Sequence, residues 1–127
     1  MLSPEEKRAR FEKALTSDGG THAVADVIDL VRAGKAQYWE RGDGTVITEV
    51  QASPRRRVLN YWLVSGRLRD CLDLQTEIDA WGVAEGCTMA AACGLPKWEP
   101  ILAREGWRPW HLANFWKPLT GEEQARG

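Results

Sequence analysis

The stretch Val58-Leu59-Asn60-Tyr61-Trp62-Leu63-Val64-Ser65-Gly66-Arg67-Leu68-Arg69 decides the fold. Strand side chains alternate between faces, which puts Leu59, Tyr61 and Leu63 on one face and Val58, Trp62 and Val64 on the other. Apolar residues on both faces imply a central strand covered by helices on each side. The period changes after Gly66. From Leu68 to Glu85 the apolar residues Cys71, Leu74, Ile78 and Trp81 recur at helical spacing, and Gly86 terminates the run. Cys87 to Cys93, small and apolar, reads as a further buried strand. A helical crossover between two strands of one sheet makes them parallel.

Upstream, Ser3, Pro4 and Glu6 combine an N-cap, a first-turn proline and a capping-box acid, so a helix starts at Ser3 and runs to about Leu15, with Phe11, Ala14 and Leu15 facing the core. Asp18-Gly19-Gly20 breaks the chain. Thr21 is placed to cap a second helix in which Val24, Val27, Ile28 and Val31 form one stripe, and Gly34 ends it. Lys35 to Glu40 and Thr45 to Ala52 alternate as paired strands about the turn Arg41-Gly42-Asp43-Gly44, and Ser53-Pro54 separates the second from the central strand. Downstream, Pro96 to Glu105 makes a short helix stopped by Gly106, Trp107 to Leu119 reads as extended, and residues 120–127 are expected to form a mobile tail. The order is α-α-β-β-β-α-β-α-β. It predicts an α/β (α+β) fold: one layer of mixed, mostly antiparallel sheet with helices on both faces, in a single domain over 1–127 whose core spans about 3–119.

A chain of 127 residues, 43% apolar and 28% charged, buries a core of its own and is neither disordered nor membrane-embedded. Seventeen basic against eighteen acidic side chains leave a net charge of −1, which excludes nucleic-acid binding by bulk charge. The three cysteines, Cys71, Cys87 and Cys93, form no Cys-x-x-Cys or Cys/His cluster, so neither a disulfide framework nor a metal site is expected. No run reads as a signal peptide or membrane span, and a reducing cytoplasm is the expected compartment.

The order of elements, the run Ile101-Leu102-Ala103-Arg104-Glu105-Gly106-Trp107 and the ending Phe115-Trp116-Lys117-Pro118-Leu119 resemble the GNAT superfamily of acyl-CoA-dependent N-acyltransferases. The apolar-x-Gly strand end, the long helix with Trp81 and the pair Gly86-Cys87 are similar to small GNAT-like proteins encoded by tailed bacteriophages. That likeness implies a host cytoplasm or a virion as the setting. The superfamily resemblance implies that acetyl-CoA or another acyl-CoA binds at the junction of Val64, Ser65, Gly66, Arg67, Leu68 and Arg69, by anion capture at backbone N–H groups and a helix start. The junction has one glycine where the family has a pair, and two arginines. Asp70 and Asp73 sit in the same first turns, where they complement the helix dipole and repel a pyrophosphate. The family's usual acid, a tyrosine four residues before the Gly-aromatic pair, is replaced by Leu102. Neither Tyr38 nor Tyr61 lies near it in sequence.

Two functions stay open: an N-acyltransferase with a degenerate CoA loop, or a non-catalytic GNAT-like scaffold acting as a phage virion, assembly or host-interaction protein. The scaffold reading looks to a protein partner, and the resemblance also implies self-association through sheet edges or last strands. Arg55, Arg56 and Arg57, in a stretch from Glu49 to Asp70 without acids, are the candidate partner-binding turn. A third reading, RNA binding, would pair that turn with the tryptophans. Seven tryptophans lie mostly on expected strands and helix stripes, and alternation in the last strand separates Trp110 and Trp116 from Trp107 and Phe115. Glu49 and Asn60, polar amid apolar neighbours on adjacent strands, and Cys93, at the end of the strand after the long helix, are the candidate catalytic groups. His22 and His111 have no nucleophile at a recognisable spacing and read as structural.

Overall fold

Ser3 and Glu6 cap each other as expected, the Glu6 N–H donating to Ser3 Oγ at 3.2 Å and the Ser3 N–H to Glu6 Oε2 at 3.4 Å. They start α1 (Pro4–Ser17). The computed structural model describes residues 2–17, 19–94, 96–110 and 115–121. It divides into two compact units, Met1–Gly94 and Leu95–Gly127.

In the first unit α2 (Val24–Arg32) follows, and its cap is Ala23 rather than Thr21. The Asp26 carboxylate accepts the Ala23 N–H at 2.8 Å, while Thr21 Oγ1 pairs with His22 Nδ1 at 2.7 Å, so the threonine lies two residues too early to cap. β1 (Gln37–Arg41) and β2 (Gly44–Ser53) form a hairpin on the two-residue turn Gly42-Asp43, with Gly42 at φ +54°. β3 (Arg56–Gly66) pairs antiparallel with β2, and β4 (Met89–Ala92) pairs parallel with β3, giving the sheet order β1-β2-β3-β4.

Three expectations are corrected here. Ile47 pairs with Leu63 but Thr48 pairs with Tyr61, so Trp62 is an extra residue, a β-bulge in the central strand. The bulge breaks the alternation expected over 58–64. Tyr61 and Leu63 therefore face opposite ways: Leu63 packs with Leu15, Val27, Ala36 and Ile47 under α1 and α2, whereas the Tyr61 hydroxyl donates to Asp79. Second, the helix expected over 68–85 is two helices, α3 (Leu68–Asp73) and α4 (Gln75–Ala84), meeting at Leu74. Leu72 and Leu74 are both buried, and at 3.6 residues per turn they lie too far round the axis to share one stripe. The Leu74 N–H bonds the Cys71 carbonyl at 3.2 Å, and that tightened turn brings both inside. Third, the strand expected over 87–93 is confined to Met89–Ala92.

Helices cover both faces of the sheet. α4 lies on the side opposite α1 and α2 and approaches closely at Gly82, where a Cβ would stand 2.7 Å from Leu59 Cδ2. On that side Trp39 meets Trp81 edge-on at 5.8 Å. On the same side a half-buried polar chain joins β1 to β2: Trp39 Nε1 donates to Thr48 Oγ1 at 3.0 Å, and Thr48 Oγ1 donates to Gln37 Oε1 at 2.9 Å. Thr48 is fully buried.

The second unit holds a 3-10 turn (Pro96–Trp98) and α5 (Glu99–Arg104), closed by Gly106 at φ +90° and by the Trp107 N–H on the Leu102 carbonyl at 3.0 Å. The closing strand expected over 107–119 is not formed among the described residues: 107–110 and 115–118 have no regular structure. His111 and the rest of 111–114, like 122–127 of the expected tail, lie outside the described residues. Pro109 and Pro118 each remove a ladder donor from the run, and Phe115 and Leu119 are 92% and 84% exposed.

Candidate functional site

The last pair between β3 and β4 is Tyr61 with Ala92, after which β3 continues to Gly66 while β4 stops. The bulge at Trp62 falls at that point, so the two parallel strands part where the central strand bends. Residues 62–66 thus have β2 on one side and no strand partner on the other among the described residues.

The expected cofactor residues Val64, Ser65, Gly66, Arg67, Leu68 and Arg69 are brought together at the end of this segment, where β3 turns into α3. Gly66 takes φ +89°, and a Cβ there would lie 1.8 Å from the Asp43 carbonyl oxygen. The hairpin turn crosses the junction at that distance because the Arg67 N–H donates to the Asp43 carbonyl at 3.0 Å. Asp43 is held from three directions. Its N–H donates to Asp70 Oδ2 at 3.0 Å and its Oδ1 accepts the Leu2 N–H at 2.9 Å. The junction therefore combines two carboxylates, Asp43 and Asp70, with two exposed arginines. Arg69 pairs with Asp73 at 3.5 Å, and Arg67 has no ion pair among the described residues. Ser65 is buried beneath them, its carbonyl 3.3 Å from Cys71 Sγ, and burial pushes the Cys71 thiol up to about 11.

Glu49 and Asn60 come together as well, Asn60 Nδ2 donating to Glu49 Oε1 at 3.0 Å, with Gln51 Nε2 on the same oxygen at 3.2 Å. They lie on the α1 and α2 side, paired across β2 and β3. Cys93 is exposed, one residue past β4. His22 lies edge-on to the bulged Trp62 at 4.7 Å. Of the arginine turn, Arg57 Nε donates to the Glu85 carbonyl just past α4 at 3.0 Å and Arg56 Nη1 lies 3.2 Å from Sδ of Met89, the first residue of β4. Arg55 alone remains in the open turn. Leu102, at the expected acid position, lies in α5 of the second unit.

Sequence reasoning placed Asp70 at the junction but passed over Asp43 and Asp79. Nothing local marks Asp43 as more than a turn residue, since its partners stand far along the chain. Asp79 accepts the Tyr61 hydroxyl at 2.5 Å; burial and then this carboxylate push the phenol far up, so it keeps its proton at neutral pH. Tyr38 donates to Glu40, and burial together with Glu40 raises its phenol too. The Tyr38 hydrogen bond and then Lys7, whose Nζ stands 3.0 Å away, hold Glu40 below the usual carboxylate range. Among the described residues no group of three His, Cys, Asp or Glu is placed to hold a metal ion, and no helix is long and apolar enough to cross a membrane.

No protein-family model and no curated protein matches the chain. Solved structures do. A Trypanosoma brucei acetyltransferase has a TM-score of 0.61 at 14% identity, over 93% of this chain and 97% of that one. The aminoglycoside N-acetyltransferase AAC(6')-Iy in complex with CoA has a TM-score of 0.63 at 13% identity, over 93% of this chain and 92% of that one. A wild-type protein of Thermus thermophilus, TTHA1254, has a TM-score of 0.62 at 16% identity, over 95% of this chain and 97% of that one. The chain has a GNAT-like fold.

Proposed function

We propose that this protein binds an acyl-CoA in the opening between β3 and β4 and transfers the acyl group to an amine. The observation that carries the reading is the parting of the two parallel strands at Trp62, directly below a junction that presents Arg67 and Arg69. A parted pair of strands offers backbone hydrogen-bonding groups to an extended ligand, much as a sheet edge does to a peptide. The solved acetyltransferase with CoA bound supports the same ligand class.

The junction differs from a backbone phosphate cradle, because the Arg67 N–H is already taken by Asp43. Phosphates would be held by side chains: the Arg67 guanidinium, which has no ion pair among the described residues, and that of Arg69, shared with Asp73. When bound, the cofactor supplies an acyl carbonyl activated as a thioester. The chain's part is to orient that carbonyl and the amine and to exclude water. The Tyr61 hydroxyl keeps its proton in the hydrogen bond to Asp79, so proton transfer falls to solvent or to groups such as Glu49.

The second reading, a non-catalytic scaffold, draws on Asp43 and Asp70, whose carboxylates stand where a pyrophosphate would come. The exposed Phe115, Trp116 and Leu119 would then contact a protein partner. Isothermal calorimetry with acetyl-CoA at low salt, against desulfo-CoA and ATP, separates the two. Micromolar affinity selective for CoA supports the first reading. An absence of heat at millimolar ligand retires it in favour of the scaffold.

A further inference from the structure

A second recess lies at the other end of β3, between α4 and β4, away from Gly66. Its volume is about 180 Å³, and its walls are apolar: Leu59, Val83, Cys87, Met89 and Ala90. An apolar cavity of about 150 Å³ is enough to hold benzene, so a ligand body of that order fits. Gly82 helps keep the space open, since any side chain there meets Leu59.

One charged group lines this recess among the described residues, the Asp79 carboxylate. Its Oδ1 is fixed by the Tyr61 hydroxyl at 2.5 Å, and it has no ion-pair partner among the described residues. No described lysine or arginine lines the recess, and Thr88 adds a hydroxyl as a second acceptor. An oriented carboxylate beside an apolar wall selects a ligand with a cationic donor on a short hydrocarbon body. A bare metal ion does not suit it, because one carboxylate and one hydroxyl leave most of a coordination sphere empty.

We propose that this recess is a binding site for a small primary ammonium ion, held by Asp79 and Thr88 with its alkyl chain against Leu59, Met89 and Ala90. Asp79 and Val83 stand one helical turn apart on α4, and Val83 is 72% exposed. A lysine at position 83 therefore brings an ammonium to Asp79 without disturbing the core.

The test is a two-dimensional NMR titration of the whole chain with n-butylammonium chloride, with n-butanol as the uncharged control. Saturable shifts at Val83, Met89 and Ala90 with a millimolar dissociation constant are expected for the amine, with butanol at least tenfold weaker. Asp79→Asn, which still accepts from Tyr61, and Val83→Lys, which fills the site from within, are each expected to weaken binding at least tenfold. Equal responses to amine and alcohol, or unchanged amine binding in both variants, overturn the proposal.

Discussion

The Asp43 carbonyl oxygen and the Arg67 N–H meet at 3.0 Å, fastening the β1–β2 turn to the start of α3. Gly66 lies beneath that bond with no room for a Cβ. Gly66→Ala is therefore expected to cost about 2–4 kcal/mol, combining left-handed strain with a backbone clash. Gly19→Ala, at φ +102° but facing open space, is expected to cost about 1 kcal/mol. Urea denaturation of the two variants measures the difference; equal losses mean that the turn does not press on the junction.

Arg67 is the junction's cation without an ion pair among the described residues, so Arg67→Glu is expected to reduce acetyl-CoA affinity at least tenfold with stability within about 0.5 kcal/mol of the parent. Calorimetry and a melting curve read the two quantities separately. Unchanged affinity in a protein that binds CoA moves the phosphate site elsewhere.

Thr48→Val keeps the shape of a fully buried residue but strands the Trp39 N–H and the Gln37 carbonyl oxygen. A loss of about 1–2 kcal/mol is expected, since an orphaned buried group costs about 1–3 kcal/mol and these two side chains keep some access to water. Chemical denaturation checks it, and a loss below about 1 kcal/mol means that the chain of bonds is not closed in solution.

Alkali is expected to destabilise the fold in two stages. The Cys71 thiol is raised from 9.0 to about 11, so between those pH values the unfolded chain releases a proton that the folded one keeps. Stability falls there by up to about 1.4 kcal/mol per pH unit. Tyr61, also raised, takes over as pH rises past its ordinary value of 10.0. Cys71→Ala is expected to be less stable at pH 7 but flatter from pH 9 to 10 than the parent. Urea midpoints across that range decide, and parallel curves for the two proteins assign the slope to other groups.

Most of the sheet was legible because each strand carried its own period and each turn its own glycine or proline. The hairpin about Gly42-Asp43 and the parallel β4 after a helical crossover followed from local patterns alone. The bulge at Trp62 was not legible, since Leu59 to Val64 satisfies strict alternation equally well and only pairing with β2 reveals the extra residue. The break at Leu74 comes from two burials that one helical stripe cannot hold. The extended reading of 107–119 gave aromatic alternation more weight than Pro109 and Pro118.

For the site, residue types in sequence located the β3–α3 junction, but not what stands over it. Asp43 and Asp79 act through partners far along the chain, and no spacing rule connects them. Glu49 and Asn60 were recognisable as a pair because adjacent antiparallel strands put such residues opposite one another.

The bulge also sets how this gene tolerates length changes as distinct from substitutions. Losing the Trp62 codon restores plain alternation while leaving Tyr61 opposite Thr48 and Leu63 opposite Ile47, each on the side it already faces. Leu63 keeps its partners under α1 and α2, and what is lost is the Trp62 ring packed against them and the bend it makes. In a library of single-codon deletions, the one at Trp62 is therefore expected to be the best tolerated within β3, because the strand keeps its register with β2.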